Sequence, residues 1–156
     1  MDVKTKLGTT VQVDDENLLE FPEGLFGFEE YKRYAIFESE YSPFMWMQSL
    51  EEESLAFLIV DPFLVAPEYE LDVDDKALSK ISVTSPAQVH VMAIVTIPSD
   101  GSPITVNLQG PLVINYTNKK SLQVVLNNNK WSTKVDVIKS LKANEEKSAS
   151  VKNGGN

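Results

Sequence analysis

Short apolar stretches, rich in Val, Ile, Leu and aromatic residues, recur about every ten residues along this chain, and most are closed by a turn signal. Stretches of that length are too short for amphipathic helices, and their β-branched and aromatic side chains suit a pleated surface. The pattern predicts strands over 3–13 (a hairpin broken at Gly8), 17–21, 34–38, 44–50, 55–60, 69–73, 88–97, 104–109, 112–117 and 121–126. The fold class is therefore all-β and mainly antiparallel, a compact β-barrel-like single domain with one or two short helices. Asp100-Gly101 is the pair expected at a hairpin, and Gly110-Pro111 separates two further strands. Asn118-Lys119-Lys120 and Asn127-Asn128-Asn129 read as further turns. Residues 74–80 read as a short helix with acids in its first turn, and 28–33 as a helical turn. The domain is expected over 1–142, followed by a disordered polar tail over 143–156.

Charge narrows the function classes. The 156 residues carry a formal net charge of −9, distributed unevenly. Residues 1–78 hold 19 acids and 5 bases, a net of −14, whereas residues 79–156 hold 4 acids and 9 bases, a net of +5. Direct nucleic-acid binding needs a cationic footprint, and the only arginine is Arg33. The absence of Cys excludes disulfides, thiolate metal sites and Cys nucleophiles, and favours the reducing cytoplasm. No apolar leader follows Met1-Asp2-Val3-Lys4-Thr5. The longest apolar run, 55–60, is far short of the ~20 residues a membrane helix needs.

Little suggests catalysis. His90, the only histidine, sits in an alternating apolar strand and reads as structural. No Gly-x-Ser-x-Gly elbow or phosphate-cradling loop is present, and one histidine cannot build a multi-histidine metal site. Neither a metal nor a cofactor is expected. Glu51-Glu52-Glu53 reads as a solvated turn. Glu68, Glu70, Asp72 and Asp74 alternate with Tyr69, Leu71 and Val73, which puts the acids on one face of an extended segment. They either blunt an edge strand or dock a partner. In 43–49, Phe44 and Trp46 face one way, Met45 and Met47 the other. Such a strand is buried on both sides or offers an adaptable Met-lined surface. The loop from Phe21 through Leu25 to Phe28 must fold on the core or meet another protein. Asp61-Pro62, Asn107, Gln48 and Ser49 read as turn, cap and strand-end hydrogen bonding, with partner contact as the other option.

Six segments, in order, carry a resemblance. They are Phe21-Pro22-Glu23-Gly24-Leu25-Phe26-Gly27-Phe28-Glu29, Pro43-Phe44-Met45-Trp46-Met47-Gln48-Ser49, Ala56-Phe57-Leu58-Ile59-Val60-Asp61-Pro62, Pro67-Glu68-Tyr69, the run from Thr105 and Asn107 to Asn115, and Gln123-Val124-Val125-Leu126. Together they resemble the bacterial flagellar assembly factor family FliW, from about Phe21 to Trp131. The resemblance implies a non-enzymatic cytoplasmic regulator with a β-barrel-like fold and two partners. One is newly made flagellin, bound through its C-terminal helical region. The other is CsrA, a small dimeric RNA-binding translational repressor. Flagellin bound to the regulator leaves CsrA free to repress flagellin translation. Export of flagellin lets the regulator capture CsrA. On this reading Phe21, Leu25, Phe44, Met45, Met47, Gln48, Glu68, Tyr69, Glu70, Asp72 and Asn107 are the candidate partner-binding residues, with no nucleic acid or membrane as direct partner. A ligand-carrying β-barrel is the competing class, and it requires an interior cavity that Phe57, Leu58 and Ile59 would fill.

Overall fold

The structure, a computed structural model, describes residues 1–127 and 130–154, with side chains described through Glu146. Eleven strands are described: β1 (Asp2–Lys4), β2 (Thr10–Gln12), β3 (Leu18–Glu20), β4 (Arg33–Glu38), β5 (Met45–Ser49), β6 (Ala56–Val60), β7 (Val89–Thr96), β8 (Thr105–Val106), β9 (Leu112–Asn115), β10 (Ser121–Gln123) and β11 (Val135–Asp136). Three helices accompany them: α1 (Pro62–Val65), α2 (Asp75–Lys80) and α3 (Val137–Gly154). The main sheet runs β3-β4-β5-β6-β7-β9-β10, and each neighbouring pair in it is antiparallel. The long strand β7 gives one edge to β6 and shares the other between β9 and β8, and β8 in turn pairs β11. β1 and β2 form a separate hairpin.

The all-β, antiparallel expectation holds. The barrel-like sheet is not a closed barrel. Its ends, β3 and β10, meet only at one parallel bridge, Glu20 to Lys120. A barrel closes through a continuous ladder, and one bridge is not a ladder.

Both faces of the central strands are buried, so their near-continuous apolar runs follow. One face stacks Leu19, Phe21, Leu25, Tyr34, Met47, Ile59, Met92, Leu112 and Ile114. The other stacks Leu58, Val60, Val91, Ala93, Val95, Val106, Val113 and Leu122 with Val65, Tyr69 and Ile81 from the α1–α2 region. The β1–β2 hairpin seals a third cluster, setting Val3 and Val13 against Ala35.

Three further expectations change. Residues 69–73 belong to no ladder, so this segment is not a strand. Their burial still alternates, with Tyr69, Leu71 and Val73 inward and Glu70 and Asp72 outward, which is the period of an extended chain. The strand expected over 104–109 stops at Val106 because Asn107 turns the chain: its Oδ1 accepts the N–H groups of Gln109 (3.1 Å) and Gly110 (2.8 Å). Residues 29–30 form a turn closed by the Tyr31 N–H on the Phe28 carbonyl (3.1 Å), and Arg33 already opens β4, so 28–33 is not a helical turn. The α2 expectation holds to within one residue, with Asp74 as the cap accepting from the Lys76 N–H at 2.7 Å. Much of the segment read as a polar tail lies in α3, where Ala, Lys and Glu are good helix formers. Asn144 Nδ2 fastens that helix by donating to the carbonyls of Val65 (2.9 Å) and Leu64 (3.2 Å). Asn128 and Asn129 of the turn expected at 127–129, and Gly155 and Asn156 at the end of the expected tail, lie outside the described residues.

Candidate functional site

Eleven residues were expected to contact partners, and the structure divides them by depth. Phe21, Leu25, Met47, Gln48 and Tyr69 are buried, so in this fold they are not open to a partner. Phe21 packs edge-to-face on Tyr34, with centroids 5.5 Å apart. Tyr69 donates its hydroxyl to the Leu108 carbonyl at 2.7 Å and stands between the rings of Phe63 and Trp131. Burial pushes its ionisation well above the ordinary tyrosine range.

Gln48 is a structural hub. Its Oε1 accepts the Lys6 N–H at 2.8 Å, and its Nε2 donates to the carbonyls of Glu53, Leu55 and Ser49 at 3.0–3.1 Å. It joins the β1–β2 hairpin to the β5–β6 turn. That turn is built from the acids read as a solvated cluster. Ser49 Oγ accepts the N–H groups of Glu51 and Glu52, while the Glu51 carboxylate accepts those of Lys32 and Arg33. These backbone donors hold the Glu51 carboxyl below its usual range. Phe44, Met45 and Asn107 are half-buried, and Asn107 is occupied by its own turn.

Glu68, Glu70 and Asp72 are exposed, as is Asp74 beyond them. Leu71 and Val73, between them, pack on the core cluster that holds Tyr69. The row of acids thus stands outward from a segment pinned inward at every second residue.

That segment is a wall shared by two surface clefts. One cleft, of about 710 Å3, lies between it, α2, β10 and the Phe21–Phe28 loop. Glu23, Phe26, Asp72, Asp74, Lys80 and Val125 contribute to its lining. Phe26 and Val125 are 57% and 54% exposed, a large fraction for apolar side chains. The Lys80 ammonium and the Glu23 carboxylate pair at 3.2 Å. The second cleft, of about 630 Å3, is mostly apolar and includes Phe63, Leu71, Val73, Leu78, Val89 and Val91. Val73 lines both.

Phe26, Val125, Glu23 and Lys80 were not singled out from the sequence. A signal was present for Val125, which sits between buried Val124 and Leu126 in an extended run. For Phe26 the signal reaches only the apolar loop as a whole, because the loop conformation alone turns Phe26 outward while its neighbour Leu25 turns in.

His90 is half-buried, with Nδ1 at 3.1 Å from the Tyr116 hydroxyl. Burial holds its pKa below the ordinary histidine value, Asp61 opposes that shift and Lys119 adds to it. Among the described residues no group of three His, Cys, Asp or Glu side chains is placed to hold a metal ion. Nor is any helix long and apolar enough to cross a membrane.

The FliW protein family model matches residues 2–137. The flagellar assembly factor FliW of Treponema denticola is 51% identical over 143 residues, covering 92% of this chain and 97% of its own length. Its counterpart in Treponema pallidum is 45% identical over 138 residues, covering 88% and 92%. A crystal structure of the flagellar assembly factor FliW aligns with a TM-score of 0.78 at 31% identity, over 88% of this chain and 96% of that one. With a match that spans all eleven strands, the chain belongs to the FliW family of flagellar assembly factors.

Proposed function

We propose that this chain is a non-catalytic cytoplasmic partner switch that binds flagellin through its C-terminal helical region and, when flagellin has left, captures CsrA. Capture relieves translational repression, so flagellin synthesis follows flagellin export. The observation that carries the reading is the outward row Glu68, Glu70 and Asp72 on a segment fixed from beneath. An RNA-binding protein must display positive charge, and fixed opposite charge speeds its encounter and selects it over neutral surfaces. The same row repels RNA approaching the complex. Flagellin, as a helix with apolar anchors, suits a groove lined by apolar side chains.

The ligand-carrying barrel finds no support in the packing, because Leu58 and Ile59 are buried in the two core clusters and Phe57 packs against one of them.

Purified flagellin and CsrA, titrated separately and then in competition, test the proposal. Binding of each, with one displacing the other, is the expected result. No measurable affinity for either overturns it. The variant Glu68→Lys/Glu70→Lys/Asp72→Lys is expected to lose CsrA capture and keep its fold. Unchanged capture and unchanged RNA displacement would remove the acidic row from the mechanism.

A further inference from the structure

We infer that the cleft between the 68–74 segment, α2 and β10 seats a basic protein surface bearing one apolar anchor, and that the Lys80–Glu23 ion pair is a latch which a cation of the partner replaces. The inference rests on the reading that CsrA is a partner and names where and how it is held.

The cleft combines a fixed apolar anchor point with an excess of negative charge. The loop that carries Phe26 is tied to β10: the Phe26 N–H donates to Gln123 Oε1 at 3.0 Å, and Gln123 Nε2 donates to the Gly110 carbonyl at 3.1 Å. Gly24, at φ +70°, makes the turn before it. The ring is nevertheless more than half exposed, as is Val125, two residues past the end of β10. Apolar surface held rigidly at a cleft, with charged groups around it, has the anatomy of a binding hot spot.

Charge then selects the occupant. Glu23, Asp72 and Asp74 line the cleft against one cation, Lys80. Asp74 is partly engaged as the α2 cap, which leaves Glu23 and Asp72 as the acids a partner can meet. Glu23 is already paired with Lys80, but both side chains are about half exposed, 54% and 50%. An exposed pair of this kind adds little stability, so a second cation competes for Glu23 at small cost. A neutral or acidic helix would leave Asp72 uncompensated and the latch closed. A Lys- or Arg-bearing surface compensates Asp72 and competes with Lys80 for Glu23.

Calorimetric titration of CsrA and of flagellin into the full chain and its variants decides the matter. Phe26→Ala is expected to weaken CsrA binding about tenfold and Glu23→Gln about threefold. Lys80→Ala is expected to tighten it about threefold, because the competing cation is gone. Lys76→Ala, on the same helix but outside the cleft lining, controls for the change in overall charge and is expected to have less effect. Flagellin affinity should stay within about twofold of the parent throughout. All four positions are exposed or half-exposed, and far-ultraviolet circular dichroism checks that each variant is folded. Parent protein that binds CsrA, with Phe26→Ala and Glu23→Gln unchanged, refutes the cleft while leaving the partner switch intact. Lys80→Ala matching Lys76→Ala refutes the latch. Loss of flagellin rather than CsrA binding in Phe26→Ala refutes a basic occupant. A parent that binds no CsrA overturns the partner switch itself, and the inference with it.

Discussion

Replacing Gln48 by Ala separates a structural role from a contact role at a position where the sequence allows both. The carboxamide is fully buried and connects three stretches of backbone. In the variant, the Leu55 carbonyl still accepts from the Ser49 N–H at 2.9 Å. The Lys6 N–H and the carbonyls of Glu53 and Ser49 lose their carboxamide partner. Each of these lost bonds counts at a net value of about 0.5–1.5 kcal/mol. The space left by the shortened side chain adds about 1 kcal/mol. The expected loss is therefore about 2.5–5.5 kcal/mol. For a domain of this size that lowers the Tm by about 5–22 °C.

Urea unfolding followed by tryptophan fluorescence measures this, since Trp46 and Trp131 lie on the core cluster that unfolding exposes. The midpoint should fall with the slope unchanged. Binding to either partner, measured where the variant is still folded, should match the parent. A stability loss below about 1 kcal/mol, together with weakened partner binding, would refute the structural assignment.

Gly24→Ala should be among the more damaging single changes, by about 2 kcal/mol or more, because the residue has φ +70° and a Cβ would stand 2.5 Å from the Glu29 Cα. Thermal unfolding checks it, and a neutral result would mean the 24–29 turn can reopen. His90 has a folded pKa below its unfolded value, so the unfolded chain takes up the proton first. Stability is thus present above about pH 6.5 and falls as pH drops through that value. His90→Gln should flatten the slope between pH 7 and pH 5 in urea titrations, and an unaltered slope would exclude His90 as its source. The Glu51 carboxyl is held low first by the Lys32 and then by the Arg33 backbone N–H. The stability linked to it is present above about pH 4.3 and declines as pH falls toward its lower folded value. Glu51→Gln should remove that component of the acid transition, which circular dichroism between pH 5 and pH 2 follows.

The sequence specified the fold class because apolar spacing and turn chemistry agree over most strands. It could not specify closure, since that depends on how far β3 and β10 approach after the sheet has twisted. Residues 69–73 show the limit from the other side. Their alternation was read correctly as inward apolar and outward acidic, but alternation reports an extended backbone and not a ladder. Among the candidate site residues, the acidic row was legible because like charges at every second position have few reasons to be buried. Phe21, Leu25, Met47 and Gln48 were not separable into core and surface, because an apolar loop or a strand apolar on both faces reads the same in either place. Gln48 in particular carries its function in a contact 42 residues away, which no local pattern encodes.

The unpaired state of residues 69–73 bears directly on recognition. A segment with an exposed edge would ordinarily invite another strand, and a row of like charges discourages that. Its own order therefore has to come from side chains. Tyr69 supplies a buried hydroxyl bond and two ring contacts, while Leu71 and Val73 pack on the same cluster. Such anchoring leaves Glu68, Glu70 and Asp72 in fixed positions without using the backbone to do it. Fixed charges lose less entropy on meeting a partner than charges on a mobile loop. Val73 belongs to the walls of both clefts, so a ligand that shifts it in one changes the shape of the other.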